Sequence, residues 1–136
     1  MFLKYHLPAL VWALFILIIC GIPGNRLPDL TFLEWLKPDK IVHLLVFGIL
    51  VYFVIRSFTF QSSINFLHEY PRFTAIIISI CYGVLIEVLQ EYVFVHRSGD
   101  VRDAIANTIG VFIGLWYYNR KIRKASVSPV TEQNND

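Results

Sequence analysis

The chain has 136 residues, of which 56% are hydrophobic, and its mean hydropathy is +0.56, well above what a soluble domain of this size carries. Twelve Lys and Arg against ten Asp and Glu leave a formal charge of only +2, and beyond a short basic run after the last apolar stretch, which membrane topology explains, nothing points to nucleic acid. Two cysteines, both inside apolar stretches, read as buried inert thiols and exclude a disulfide framework or a cysteine metal site.

Four apolar stretches predict four transmembrane helices, since a crossing needs about 20 apolar residues. The first helix, about residues 7–24, contains no charge. Lys4 ahead of it gives the outline of a signal peptide. No small-x-small cleavage site follows, and Leu17-Ile18-Ile19 before Cys20 does not suit lipoprotein processing, so the stretch is expected to stay. The loop to Pro38 contains Pro23 and Pro28 and an apolar patch of Leu30, Leu33, Trp35 and Leu36, which suits an interfacial segment at the outer surface or a lid over a site.

The second helix, about 40–58, opens on Pro38-Asp39-Lys40 and places Lys40, His43 and Phe47 on one face by their spacing of three and four. The third, about 73–92, holds Gly83, Glu87 and Gln90 on one face. Glu87 is its sharpest feature, because an ionisable group at membrane depth costs about 2.5 to 3.5 kcal/mol and usually marks a site, a pathway or an internal lock. The fourth, about 102–119, follows Asp100 and carries Asp103, Asn107, Gly110 and Gly114 at intervals of four, three and four. The two glycines read as a close-packing face. The tail from Ala125 to Asp136 is polar and reads as a disordered cytoplasmic segment.

Seven of the twelve Lys and Arg fall on the side of the termini and five on the other, and the dense run Arg120, Lys121, Arg123 and Lys124 directly follows the last helix. Both termini are therefore expected in the cytoplasm. With that topology Lys40, His43, Glu87, Gln90, Arg97, Asp100, Asp103 and Asn107 share the outer third of the bundle, predicting one outward-facing polar pocket, while the inner half is expected to lack polar groups. Each acid also has a structural reading. Asp39 and Asp100 can cap helices, and a His43–Glu87 contact can be a simple interhelical hydrogen bond.

The combination of Asp39-Lys40-x-x-His43, Tyr82-Gly83-x-x-x-Glu87-x-x-Gln90, Arg97 and Asp100-x-x-Asp103-x-x-x-Asn107-x-x-Gly110-x-x-x-Gly114 resembles the VanZ-like family. The likeness covers the last three helices, and Gly21-Ile22-Pro23-Gly24 is similar to that family's first loop. The resemblance implies residues 1–124 as one transmembrane domain of a small multi-pass protein of the bacterial plasma membrane, in a family named for a member linked to teicoplanin resistance. It carries over the eight pocket residues named above.

Three functions fit these residues. An accessory protein would bind a lipid-linked envelope precursor or a lipoglycopeptide, with Lys40 and Arg97 meeting phosphate or carboxylate. An intramembrane enzyme would use His43, Glu87 and Asp103 for acid–base chemistry, with no cofactor and, in one variant, a metal held by His43, Glu87, Asp100 and Asp103. A proton-coupled carrier would relay protons through Glu87 and His43 and would need a homo-oligomer to complete a path. Binding without catalysis is the expectation, with the lipid bilayer as the surrounding partner.

Overall fold

The computed structural model describes residues 2–23 and 38–127, and among these it is all-helical. The elements run α1 (Phe2–Gly21), α2 (Pro38–Phe60), α3 (Asn65–Glu69), α4 (Pro71–Tyr92) and α5 (Val101–Val127). The apolar loop patch around Trp35 and the tail beyond residue 127 lie outside the described residues, as does the side chain of Asp39.

The starts of the long helices follow from their first residues. Pro38 opens α2 and Pro71 opens α4, where a missing N–H is no loss and the fixed φ suits the first turn. At the start of α5 the Asp100 side chain accepts from Arg102 N at 2.8 Å, and the Asp100 carbonyl accepts from Asp103 N at 2.8 Å. Asp100 is thus the N-cap. Gln61 closes the turn after α2 by a reciprocal pair of 2.9 Å bonds with the backbone of Ile64, leading into the short α3 that the apolar periodicity did not predict. The last helix runs past residue 119 through Ala125 to Val127, because Arg120 to Lys124 are good helix formers once a helix is nucleated.

Among the described residues three helices are long and apolar enough to cross a membrane: Leu3–Gly21, Lys40–Phe60 and Pro71–Tyr92. The fourth long helix, α5, is less apolar, since Arg102, Asp103, Asn107 and the basic run after Asn119 all lie within it. A belt of large apolar side chains faces outward on every long helix, among them Leu10, Leu14 and Ile18 of α1, Val84 and Val88 of α4, and Phe112 and Ile113 of α5. Such surface is stable only against lipid or another chain.

The second helix is the axis of the fold. It touches all four others and buries Phe47, Leu50, Val51, Val54, Ile55 and Phe58. Its most extensive partner is α5. A Cβ placed on Gly110 would strike the carbonyl of Leu44, and one on Gly114 would strike the carbonyl of Gly48, so these two backbones touch only because both residues lack a side chain. Midway along its length the first helix is tied on by two side chains donating to main-chain carbonyls: Trp12 Nε1 to Val46 at 2.9 Å and the Tyr82 hydroxyl to Ala13 at 2.6 Å. Ile16 of α1 and Ile86 of α4, both fully buried, complete the core beside them.

Candidate functional site

The polar stripes of α2, α4 and α5 meet at one end of the bundle. The rim is an ion-pair cluster. Lys40 Nζ lies 3.2 Å from Asp100 Oδ2 and also binds Asp103 Oδ1. Asp103 is buried, whereas the Asp100 side chain is 44% exposed, so the cluster has a wet outer edge and a dry inner one. Asp100 lies outside the apolar spans, and its carboxyl is held below the usual aspartate range, first by the Arg102 backbone N–H and then by the Lys40 ammonium.

Beneath the rim runs a buried chain of three side chains. His43 Nδ1 lies 2.9 Å from Asn107 Oδ1, and Asn107 Nδ2 donates to Glu87 Oε1 at 3.3 Å. The direct His43 Nδ1 to Glu87 Oε1 separation is 3.8 Å, longer than a hydrogen bond, so Asn107 stands between them. Assigning the hydrogens to satisfy this chain makes His43 Nδ1 the donor to Asn107 Oδ1. His43 and Asn107 are 3% and 1% exposed, which shows how far the chain lies from bulk solvent.

Glu87 also organises the backbone. Its Oε2 accepts from Asp100 N at 3.1 Å, and Glu91 Oε2, one turn on, accepts from Gly99 N at 3.0 Å. In a capping box the residue three places after the N-cap would reach back to the N-cap N–H. Here a carboxylate from another helix takes that role, which leaves Asp103 to face Lys40. The loop comes this close because residue 99 is glycine: a Cβ there would sit 2.7 Å from the Glu87 carbonyl oxygen. The turn before it includes His96 at φ 58°, an unusual conformation for a non-glycine residue.

Six of the eight sequence-predicted residues, Lys40, His43, Glu87, Asp100, Asp103 and Asn107, therefore form one connected network. The other two lie at the same end but serve α1. Gln90 Nε2 donates to the Cys20 carbonyl at 3.2 Å and Arg97 Nε to the Ile22 carbonyl at 2.9 Å. The last carbonyls of a helix lack intrahelical donors and carry its negative dipole end, so an amide and a guanidinium suit them. The expected use of Lys40 and Arg97 as a pair of anion ligands is not what the geometry offers, since acids hold Lys40 and Arg97 reaches a main-chain oxygen.

Glu91 was missed by the sequence reading although it follows Glu87 by one turn, and that spacing was the available signal. Polar groups also occur at the opposite end, contrary to expectation: His6 of α1 and Ser57 of α2 are hydrogen-bonded, Thr59 and the Tyr118 hydroxyl lie 3.3 Å apart, and Ser79 is fully buried with its hydroxyl unpartnered. Among the described residues no three His, Cys, Asp or Glu side chains converge to hold a metal ion.

This architecture defines a small all-helical membrane protein with a polar cluster sunk into one end of its bundle. The chain belongs to the VanZ/LLP1 family, whose profile matches residues 7–122. No curated protein and no solved structure matches it.

Proposed function

We propose that the chain crosses the bacterial plasma membrane four times with both termini in the cytoplasm, and that the polar cluster faces outward to bind the head of a lipid-linked envelope precursor or of a lipidated glycopeptide of the teicoplanin type. α5 is the fourth crossing, its polar stripe turned against α2 and α4 and its apolar faces toward lipid. The supporting observation is the Lys40–Asp100–Asp103 rim set directly on the buried His43–Asn107–Glu87 chain. A bundle that needed only adhesion between helices would not carry so many charges at this depth, where each is costly.

The balance of charge says what such a head group would present. Three carboxyl groups, Glu87, Asp100 and Asp103, face one lysine and one histidine, so acid groups outnumber basic ones. A ligand rich in hydroxyl, amide or ammonium donors complements this set better than a bare phosphate does. Binding would proceed by exchange, with ligand donors taking Asp100 or Asp103 while Lys40 turns to a ligand acceptor.

The alternative is an intramembrane enzyme acting on a lipid-linked substrate. The His43–Asn107–Glu87 chain favours it, because an imidazole held through Nδ1 is oriented to accept a proton at Nε2. The test is a teicoplanin-type susceptibility assay in cells expressing the parent, Asp103→Asn or Glu87→Gln, with membrane abundance measured beside it. Reduced protection at normal abundance supports the site. Unchanged protection in both variants refutes it. A His43→Gln variant that keeps ligand binding but loses turnover of a lipid-linked substrate would favour the enzyme.

A further inference from the structure

The end of the bundle away from this cluster has its own concavity, built on different chemistry. Lys4, Tyr5 and Pro8 of α1 and Phe53, Arg56 and Phe60 of α2 enclose a cleft of about 260 Å³. Its floor is aromatic. The Tyr5 and Phe60 rings stack at 6.4 Å between centroids, and the Arg56 guanidinium lies 6.0 Å from the Phe60 centroid. Its rim is cationic, and no carboxylate among the described residues pairs with Lys4 or Arg56. The contrast with Lys40, which has two acids, is direct.

A third cation adjoins from α5. Lys121 Nζ donates to the Tyr52 hydroxyl at 3.0 Å and lies 5.4 Å from the centroid of that ring, next in sequence to the cleft's Phe53. Cations from two helices thus line the cleft with no carboxylate paired to them among the described residues, and an anion seated between them would meet both charges. The depth is also informative. Lys4 is the last charge before the uncharged first stretch and Arg56 the first after the second, so the cleft marks the border between apolar belt and water. Leu7 and Val11, large and exposed, follow Lys4 at three and seven residues on the same face of α1.

We infer that this cleft holds one anionic phospholipid, its phosphate between the Lys4 ammonium and the Arg56 guanidinium and its acyl chains along the apolar flank of α1. A guanidinium fork and a point-charge ammonium are complementary ligands for a phosphodiester, and the aromatic floor suits the glycerol and upper acyl region. The inference rests on the membrane character of the chain and is independent of the ligand assigned to the polar cluster.

The test uses the full chain in phosphatidylcholine nanodiscs with phosphatidylglycerol titrated in, and retained lipid read by native mass spectrometry. The parent should keep one phosphatidylglycerol in preference to phosphatidylcholine. Lys4→Gln with Arg56→Gln should lower that retention about tenfold. Arg123→Gln with Lys124→Gln, which removes the same charge outside the cleft, should retain lipid like the parent. Equal losses in both double variants would reduce the effect to general surface attraction and overturn the site, as would no loss in either. Displacement by millimolar glycerol phosphate would make it a free-anion site and overturn the lipid assignment. Should the first double variant lose its helical signal, Lys4→Gln and Arg56→Gln singly carry the same test, since both side chains are exposed. Glu87→Gln should keep its phosphatidylglycerol whatever it does to susceptibility, which separates this inference from the outer-site proposal. A parent that does not enter nanodiscs would overturn the membrane reading beneath both.

Discussion

The middle of the α2–α5 seam and its Lys40 end join the same two helices by opposite means. In the middle, Gly48, Gly110 and Gly114 bring main chain against main chain with nothing between. At the end, Lys40 and His43 reach across to Asp100, Asp103 and Asn107 through side chains alone. The middle fixes how near the helices come, and the polar end then meets at a spacing already set. That division suits a site: groups that do not determine the approach of the helices can exchange partners without opening the bundle.

The comparison predicts a graded series, with the largest effects at the glycines. Gly110→Ala and Gly114→Ala each drive a methyl into a backbone carbonyl that cannot rotate away, and each should cost about 3 kcal/mol, the upper part of the usual range for overpacking. Gly48→Ala, whose Cβ would lie 3.1 Å from the Gly110 carbonyl oxygen, should cost less. Gly21→Ala meets only the Phe94 ring at 3.5 Å and should be close to neutral. Thermal unfolding in one detergent ranks the four. If Gly110→Ala proved as mild as Gly21→Ala, the seam would not set the spacing.

The polar end comes next. Lys40→Gln leaves buried Asp103 without its cation, and Glu87→Gln turns one acceptor into a donor facing either Asn107 Nδ2 or Asp100 N. Each should cost about 1 to 3 kcal/mol, the usual penalty for an unsatisfied buried polar group. Lys40→Met combined with Asp103→Leu removes both charges and should recover most of the loss, because replacing a buried pair with apolar groups is often neutral. The sharpened point is functional: under the proposed function the double variant should be stable yet unprotected in the susceptibility assay. Full protection with both charges gone would make the rim purely structural.

The α1 ties rank below these. Gln90→Ala removes a bond to a terminal carbonyl of α1, where Tyr82 and Trp12 hold the same helix by independent bonds. A loss of about 1 kcal/mol is expected by thermal unfolding, the ordinary worth of one hydrogen bond. A loss as large as that of Gly110→Ala would mean that α1 docks through its last turn rather than along its length.

How much of this was legible in the sequence depends on what each residue contacts. Lys40, His43, Glu87, Asp103 and Asn107 could be brought together because helical spacing and apolar length set both face and depth, and their partners are other side chains on other stripes. Gln90 and Arg97 were placed at the right end, but their bonds to the carbonyls of Cys20 and Ile22 could not be read, because a main-chain carbonyl has no residue type to betray it. A direct His43–Glu87 bond was one reading that side-chain chemistry allowed. Only the placement of Asn107 between them, a matter of interhelical distance, shows it to be indirect. Apolar counting predicted four crossings; among the described residues three helices are long and apolar enough, and α5 is less apolar, with Asp103 and Asn107 buried against α2 and α4.

The smallest effect isolates the outermost charge. Asp100→Asn keeps the side-chain oxygen that caps α5 and removes only the charge that faces Lys40. Because the folded carboxyl titrates below its ordinary value of about 3.9, its contribution is fully present above that value and is lost as pH falls through the lower, folded one. The stability gap between parent and Asp100→Asn should therefore be constant from pH 7 to about 5 and close below about 4. Salt should narrow it too, since the side chain is half in water. A gap that ignored both pH and salt would trace to cap geometry, and the rim charge that a ligand is proposed to exchange would then lie with Asp103.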